Sequence, residues 1–356
     1  MRGVQASLPG FVGVRLNAEE AENLVFMVAD RLAPARSSAV REDFNFLAIS
    51  GGAAGGAFGA GVLVGLSQAG TRPTFSIVTG VSTGALMAPF AFLGSAWDHR
   101  LKAAYTGGLA AQAISLRRLA PAFGAGLFRA DALESLIDPF IDAELVAAVA
   151  REHALGRRLL VTTTDLDSQK TCIWDMGAIA SRGGDDAVKL FRDILVASAS
   201  LPGLFPPRRF PCEADGVGYE EMHVDGGVST PLFIMPEALL RWKRRGGHLH
   251  GGRIYVIINT VLEHAPRTTS TNLAAILLRS FDTMLRFSYR NALSSIANFC
   301  AANDLPLSVT AIQDDPDNGH MLSFDTADML RGFDAGVKHA TGGALWSTPT
   351  PGPPIG

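Results

Sequence analysis

The sequence predicts an α/β fold with a largely parallel central sheet flanked by helices, and three observations carry that expectation. Phe44-Asn45-Phe46-Leu47-Ala48-Ile49 is a short apolar run followed by a glycine-rich turn and a mostly apolar helical stretch from about Gly56 to Gln68. Phe75-Ser76-Ile77-Val78-Thr79 repeats that pattern, with the turn Gly80-Val81-Ser82-Thr83-Gly84 and an apolar helix running toward Phe92. Leu159 to Thr164 and Ile254 to Ile258 are further runs of buried-strand type, separated by helical segments.

The helices follow from spacing. Leu190, Phe191, Ile194 and Leu195 recur on one face between Asp186 and Ser198, with Lys189, Arg192 and Asp193 elsewhere on the turn. Leu273, Ile276, Leu277, Phe281, Met284 and Leu285 recur in the same way on a longer helix. No internal repeat or long linker interrupts the pattern, so one α/β domain is expected over residues 44–345, between an N-terminal arm (1–43) and a Pro-rich tail (346–356).

Composition narrows the function classes. The chain has 356 residues, 47% of them hydrophobic and 18% charged, which excludes disorder as its main state. A formal net charge of −3 offers no field to attract a polyanion, so no nucleic-acid partner is expected. Cys172, Cys212 and Cys300 lie far apart without a C-x-x-C pair, which points to buried thiols rather than a disulfide framework or a zinc site. No secretory leader is visible between Met1 and Arg41, and the compartment stays unknown: soluble or peripheral to a membrane, with an exported mature form also open. The uncharged stretches Phe44 to Thr71 and Pro73 to Trp97 are long enough to span a bilayer. Their Gly, Ala, Ser and Thr content fits strand, turn and buried helix better.

Three segments carry chemistry. Gly80-x-Ser82-x-Gly84, between a strand and a helix, is the nucleophile-elbow pattern, in which a sharp turn exposes a serine hydroxyl at a helix N-terminus. One βα unit earlier, Ser50-Gly51-Gly52-Ala53-Ala54-Gly55-Gly56 forms a second glycine turn. Neighbouring parallel strands end on the same sheet edge, so the two turns are expected to face each other and to converge backbone N–H groups on an oxyanion. The glycines match neither a dinucleotide fingerprint nor a P-loop, which would need lysine where Ala57 stands. The third segment is Asp225-Gly226-Gly227, after the apolar loop Ala199 to Pro207. By itself such a triplet reads as a turn.

Together, in this order, these segments resemble the patatin-like phospholipases, over about Phe46 to Pro236; Thr164-Asp165-Leu166 and Ala197 to Pro207 are similar to that family as well. The resemblance implies a three-layer patatin-like fold and a carboxylic ester hydrolase of phospholipase A or lysophospholipase type. It implies Ser82 as nucleophile, Asp225 as proton acceptor, the backbone of Gly51, Gly52, Ala53 and Ala54 as oxyanion donors ahead of a helix starting near Gly56, and an acyl-enzyme intermediate. No metal or other cofactor is implied. The expected partner is a phospholipid or other acyl-ester lipid, with peripheral membrane contact. In one place the chain departs from the family's Gly-Gly-Gly-x-Arg/Lys-Gly loop: Ala53 replaces the third glycine and Gly55 stands where the cation would be.

Two other readings stand beside this one. A Ser-His-Asp esterase could draw its histidine from His248, His250 or His264. A lipid-binding protein of weak turnover would keep the same fold. His223 and His320 read as surface or satisfied core residues, and Arg241, Lys243, Arg244 and Arg245 as partners of a helix C-terminus, or of anionic headgroups.

Overall fold

A computed structural model describes residues 7–17, 20–28, 44–114, 126–234, 253–263, 268–313 and 323–349, apart from 22, 25, 26, 130, 215, 272 and 303. His248, His250, His264, His320 and the basic cluster at 241–245 lie outside these residues.

Among the described residues nine strands make one sheet: β1 (Arg15–Leu16), β2 (Asn45–Ile49), β3 (Ile77–Gly80), β4 (Arg158–Asp165), β5 (Lys170–Asp175), β6 (Arg208–Ala214), β7 (Val217–Asp225), β8 (Arg253–Val261) and β9 (Leu307–Ile312). The order β4-β3-β2-β8-β9 is parallel throughout, as expected for strands with both faces covered. The other flank is antiparallel: β5 and β7 both pair with β4, β6 pairs with β7, and β1 with β5. The largely parallel sheet inferred above therefore describes the centre and not this flank.

The main helices are α1 (Gly56–Gln68), α2 (Thr83–Leu93), α3 (Asp98–Thr106), α4 (Asp131–Ile137), α5 (Ala143–Ala154), α6 (Gly184–Ser198), α7 (Leu273–Ala302) and α8 (Thr326–Thr341). Side chains from α1 to α6 and α8 share one apolar core on one face of the sheet, with Leu63, Phe90, Leu145 and Ile194 inside it. On the opposite face α7 covers Phe46, Ile254 and Val256 with Leu293, Ile296 and Ala297, completing three layers. Ile276 and Met284, placed by spacing on the apolar stripe of α7, instead face solvent at 45% and 66% exposure. The stripe that packs runs through Leu285, Tyr289 and Leu293, at the i, i+4 period of a helix face. No helix among the described residues is long and apolar enough to cross a membrane.

Residues 7–16 close the antiparallel flank, bridging Ser7 to Glu213 on β6 and pairing Arg15 with Trp174 on β5. The Arg15 guanidinium enters the space between them. There it pairs with Glu221 at 2.8 Å and donates to the sulfurs of Cys172 and Cys212. Glu221 also meets His223 Nε2 at 3.0 Å, and Thr163 Oγ1 stands 2.8 Å from both His223 Nδ1 and the Trp174 Nε1 that donates to it. Indole can only donate, so the Thr163 hydroxyl accepts from Trp174 and still has capacity to bond His223 Nδ1, which ties the two rings together. All three cysteines are buried and free.

Candidate active site

Ile49 and Gly80 are register partners at the ends of the parallel pair β2–β3, so the chain leaves both strands at one edge, side by side. From β2 it enters the turn at residues 50–55; from β3 it enters the turn that presents Ser82. Ser82 has φ 56° and ψ −128°, a conformation costing on the order of 1–3 kcal/mol that persists only when its surroundings enforce it. They do so from several sides. Val81 N–H donates to the Ile49 carbonyl, Ser82 N–H donates to Ser198 Oγ at 3.1 Å, and Ser198 is held in turn by the Thr162 carbonyl. Gly84 must lack a side chain, because a Cβ there would overlap the Ile49 and Ser50 carbonyl oxygens. Gly80 is tightly packed in the same way against the first turn of α2.

The glycine loop is tied to β8 by Asn259, a fully buried side chain that the sequence reading passed over. Asn259 N–H donates to Ser50 Oγ at 2.9 Å and its Nδ2 to the Ser50 carbonyl at 2.8 Å, while Ser50 Oγ donates to the Gly51 carbonyl. This clamp explains the departure at Gly55. A Cβ on Gly55 would overlap the Asn259 carbonyl oxygen, so this chain has no room for a cation there. The N–H groups of Gly52 and Ala53 have no acceptor among the described residues, and both line the pocket above Ser82. Ala54 and Gly56 belong to the buried turn that starts α1.

Asp225 arrives from the antiparallel flank. It ends β7 opposite Thr163 on β4, its N–H held by the Ser200 carbonyl and its C=O by Thr164 Oγ1 at 3.0 Å. The next residues, Gly226–Val228, form a short 3₁₀ turn whose Gly227 N–H donates to Asp225 Oδ1 at 2.7 Å. Gly226 packs on the Thr162 carbonyl. The side chain is 2% exposed, and its Oδ2 has no hydrogen-bond partner among the described residues. Burial pushes the carboxyl up to about 7, against the opposing pull of the nearby Ser82 hydroxyl and the Gly227 N–H.

Ser82, Asp225, Gly52, Ala53 and Gly227 open into one cavity of about 1050 Å³, its open mouth included. Most of the rest of its lining is apolar, from Leu86 and Phe90 on α2, Leu133 and Ile137 on α4, Leu204 and Phe205 on the 199–207 loop, and Leu285 on α7, with Thr83 and Tyr105 bonded to each other beside them. Tyr289 on α7 also reaches this cavity. Nothing in the sequence marks it, since it recurs with Leu285 and Leu293 as an ordinary core position. Asn259 had a visible signal, a lone polar residue closing the apolar run of β8.

No described histidine lines the cavity. His223, two residues before Asp225, is fully buried and engaged by Glu221 and Thr163, which makes it a satisfied core residue. A group able to hold a metal ion is also absent among the described residues.

The profile of a family described as Patatin-like phospholipase matches residues 47–236. No curated protein matches the chain. Among solved structures, VipD from Legionella pneumophila is similar at 11% identity and a TM-score of 0.37, over 85% of this chain and 70% of that one. Human GIVD cytosolic phospholipase A2 is similar at 13% identity and the same TM-score, over 89% of this chain; the chain spans 56% of that protein's length. The assignment rests on the family profile.

Proposed function

Because the chain belongs to the patatin-like phospholipase family and is a lipid ester hydrolase, we propose that it cleaves fatty acyl esters through Ser82 and Asp225. Ser82 Oγ attacks the acyl carbon as its proton passes to Asp225 Oδ2. The ester C–O bond then breaks, the proton goes to the departing alcohol oxygen, and an acyl-enzyme is left. Water attacks that ester, Asp225 takes its proton, and the hydrogen returns to Ser82 as the fatty acid leaves.

One observation supports this most: Asp225 combines an unpaired, buried carboxyl oxygen with a serine beside it, at the floor of an apolar cavity. A carboxyl raised to about 7 is well matched to taking and returning a proton near neutral pH, as an ordinary aspartate is not. The apolar lining suits an acyl chain. The unpaired N–H groups of Gly52 and Ala53, with the N-terminus of α2, suit an oxyanion.

Contact with a membrane surface belongs to the same reading. Met284 and Phe287 stand 66% and 51% exposed on the helix whose inner face lines the cavity. The experiment that tests the site is labelling with a lipid-like fluorophosphonate and peptide mapping. The label is expected on Ser82 alone, and a label elsewhere, or none on protein that hydrolyses lipid, overturns the assignment. Binding of lipid without any turnover would instead favour a carrier.

A further inference from the structure

Tyr289 ends in the same cavity from the opposite side of the sheet edge. It is 2% exposed, so its ring is core, yet its hydroxyl makes no hydrogen bond to any described residue. The ring is fixed in the core while the residue lines the cavity, so a bound ligand is placed to give the hydroxyl its hydrogen bond. Its place is narrow. A Cβ built on Gly51 would meet the Tyr289 hydroxyl at 2.7 Å and Ser82 Cβ at 3.0 Å, so Gly51, Ser82 and the phenol oxygen border one small space. Gly52 and Ala53, the next residues of the loop, line the same cavity as Ser82 and Tyr289.

We propose that Tyr289 is a further catalytic residue, donating its O–H to the oxyanion that forms on the substrate's acyl carbon beside the loop N–H groups. The inference rests on Ser82 being the nucleophile and deepens that reading. Chemistry favours a donor here. The loop position that could carry a cation is filled by the Asn259 backbone, and no cation among the described residues lines the cavity, so charge developing on the substrate oxygen calls for neutral donors. Burial, chiefly, and the nearby Asp225 push the phenol well above its usual range, so it keeps its proton at any working pH. No bond to Asp225 competes for that proton. The step moves no proton from Tyr289: the hydrogen bond tightens as the oxygen gains charge and relaxes as the carbonyl re-forms.

The test is Tyr289→Phe, which keeps the ring and removes only the oxygen. Its kcat/KM per fluorophosphonate-titrated site is expected to fall roughly 10²-fold, the scale on which a single oxyanion donor acts. The melting temperature and the midpoint of the kcat/KM–pH profile should stay where they are in the wild type. A kcat/KM within twofold of wild type overturns the proposal. So does a displaced midpoint, which would put the phenol on Asp225 rather than on the substrate. Ser82→Ala, run in parallel, separates the two levels. If it stays active, the nucleophile assignment has failed. If it is inert while Tyr289→Phe is fully active, only the role of Tyr289 has.

Discussion

Glu221 and Asp225 stand four residues apart on β7, both carboxyls are hidden from solvent, and the protein treats them in opposite ways. Glu221, 7% exposed, has Arg15 at 2.8 Å, His223 at 3.0 Å and the Tyr219 hydroxyl at 3.3 Å. Burial alone would raise it, but the His223 hydrogen bond and the Arg15 charge outweigh that and bring it to about 2. Asp225 has one N–H, one nearby serine and an orphaned oxygen, and rises to about 7. Burial is common to both; the number of partners separates a carboxylate that holds the flank together from one left with unspent basicity.

The contrast can be broken most directly at its reactive end. On the proposed mechanism, Ser82→Ala and Asp225→Asn should each lower lipid hydrolysis by about 10³-fold or more, measured on folded protein, because members of one catalytic unit fail together. Full activity in Asp225→Asn would remove the base from the scheme. At the other end, Glu221→Gln removes the carboxylate that Arg15 and His223 share in a buried site. It should cost about 3 kcal/mol in urea melts, while turnover per remaining folded molecule is kept. Loss of turnover in fully folded Glu221→Gln would mean that the two carboxyls are not separate after all.

Titration sharpens the difference, since the two groups act over opposite windows. Asp225 is raised on folding, so its contribution to stability is complete below about pH 4 and is lost as pH rises through about 7. Glu221 is lowered, so its contribution is complete above about pH 4.5 and is lost as pH falls toward 2. Melts at pH 4 and pH 8 should therefore show Asp225→Asn gaining on the wild type as pH rises. Activity should climb through about pH 7, where the base loses its proton; a flat profile there contradicts the role of Asp225. The smallest effect is expected at Thr163→Val, which leaves the Trp174 N–H and His223 Nδ1 without their shared partner. It should destabilise by roughly 1–3 kcal/mol without moving the pH profile.

The same two regions also differ in how far they could be read beforehand. β2, β3 and β4 stand out because they are continuous runs of buried-strand type, and α1 ends at Gln68 as its composition suggests. Around Ser82 the glycines are legible because close backbone packing leaves no other residue possible. The antiparallel flank was not legible. β5 and β7 begin exposed and end buried, with no clean alternation, and β1 is two residues long. The partners of Glu221 come from Arg15, 206 positions away, and from His223, whose other ring nitrogen is held by Thr163 on a different strand. Tyr289 is hidden for a related reason: a core tyrosine and a tyrosine with a free hydroxyl are spelled alike. Asp225 is legible as a candidate because it follows the other two motifs in order, although its raised basicity depends on partners it lacks.

The thiols that Arg15 holds have a practical corollary. Burial raises Cys172 to about 11 and Cys212 and Cys300 to about 12, so almost none of the reactive thiolate exists near neutral pH. Alkylating reagents should leave the folded protein unmodified. A single cysteine placed on the exposed side of α7, for instance at Met284, would then carry a fluorophore alone and could report on contact with a bilayer, with all three native sulfurs still in place.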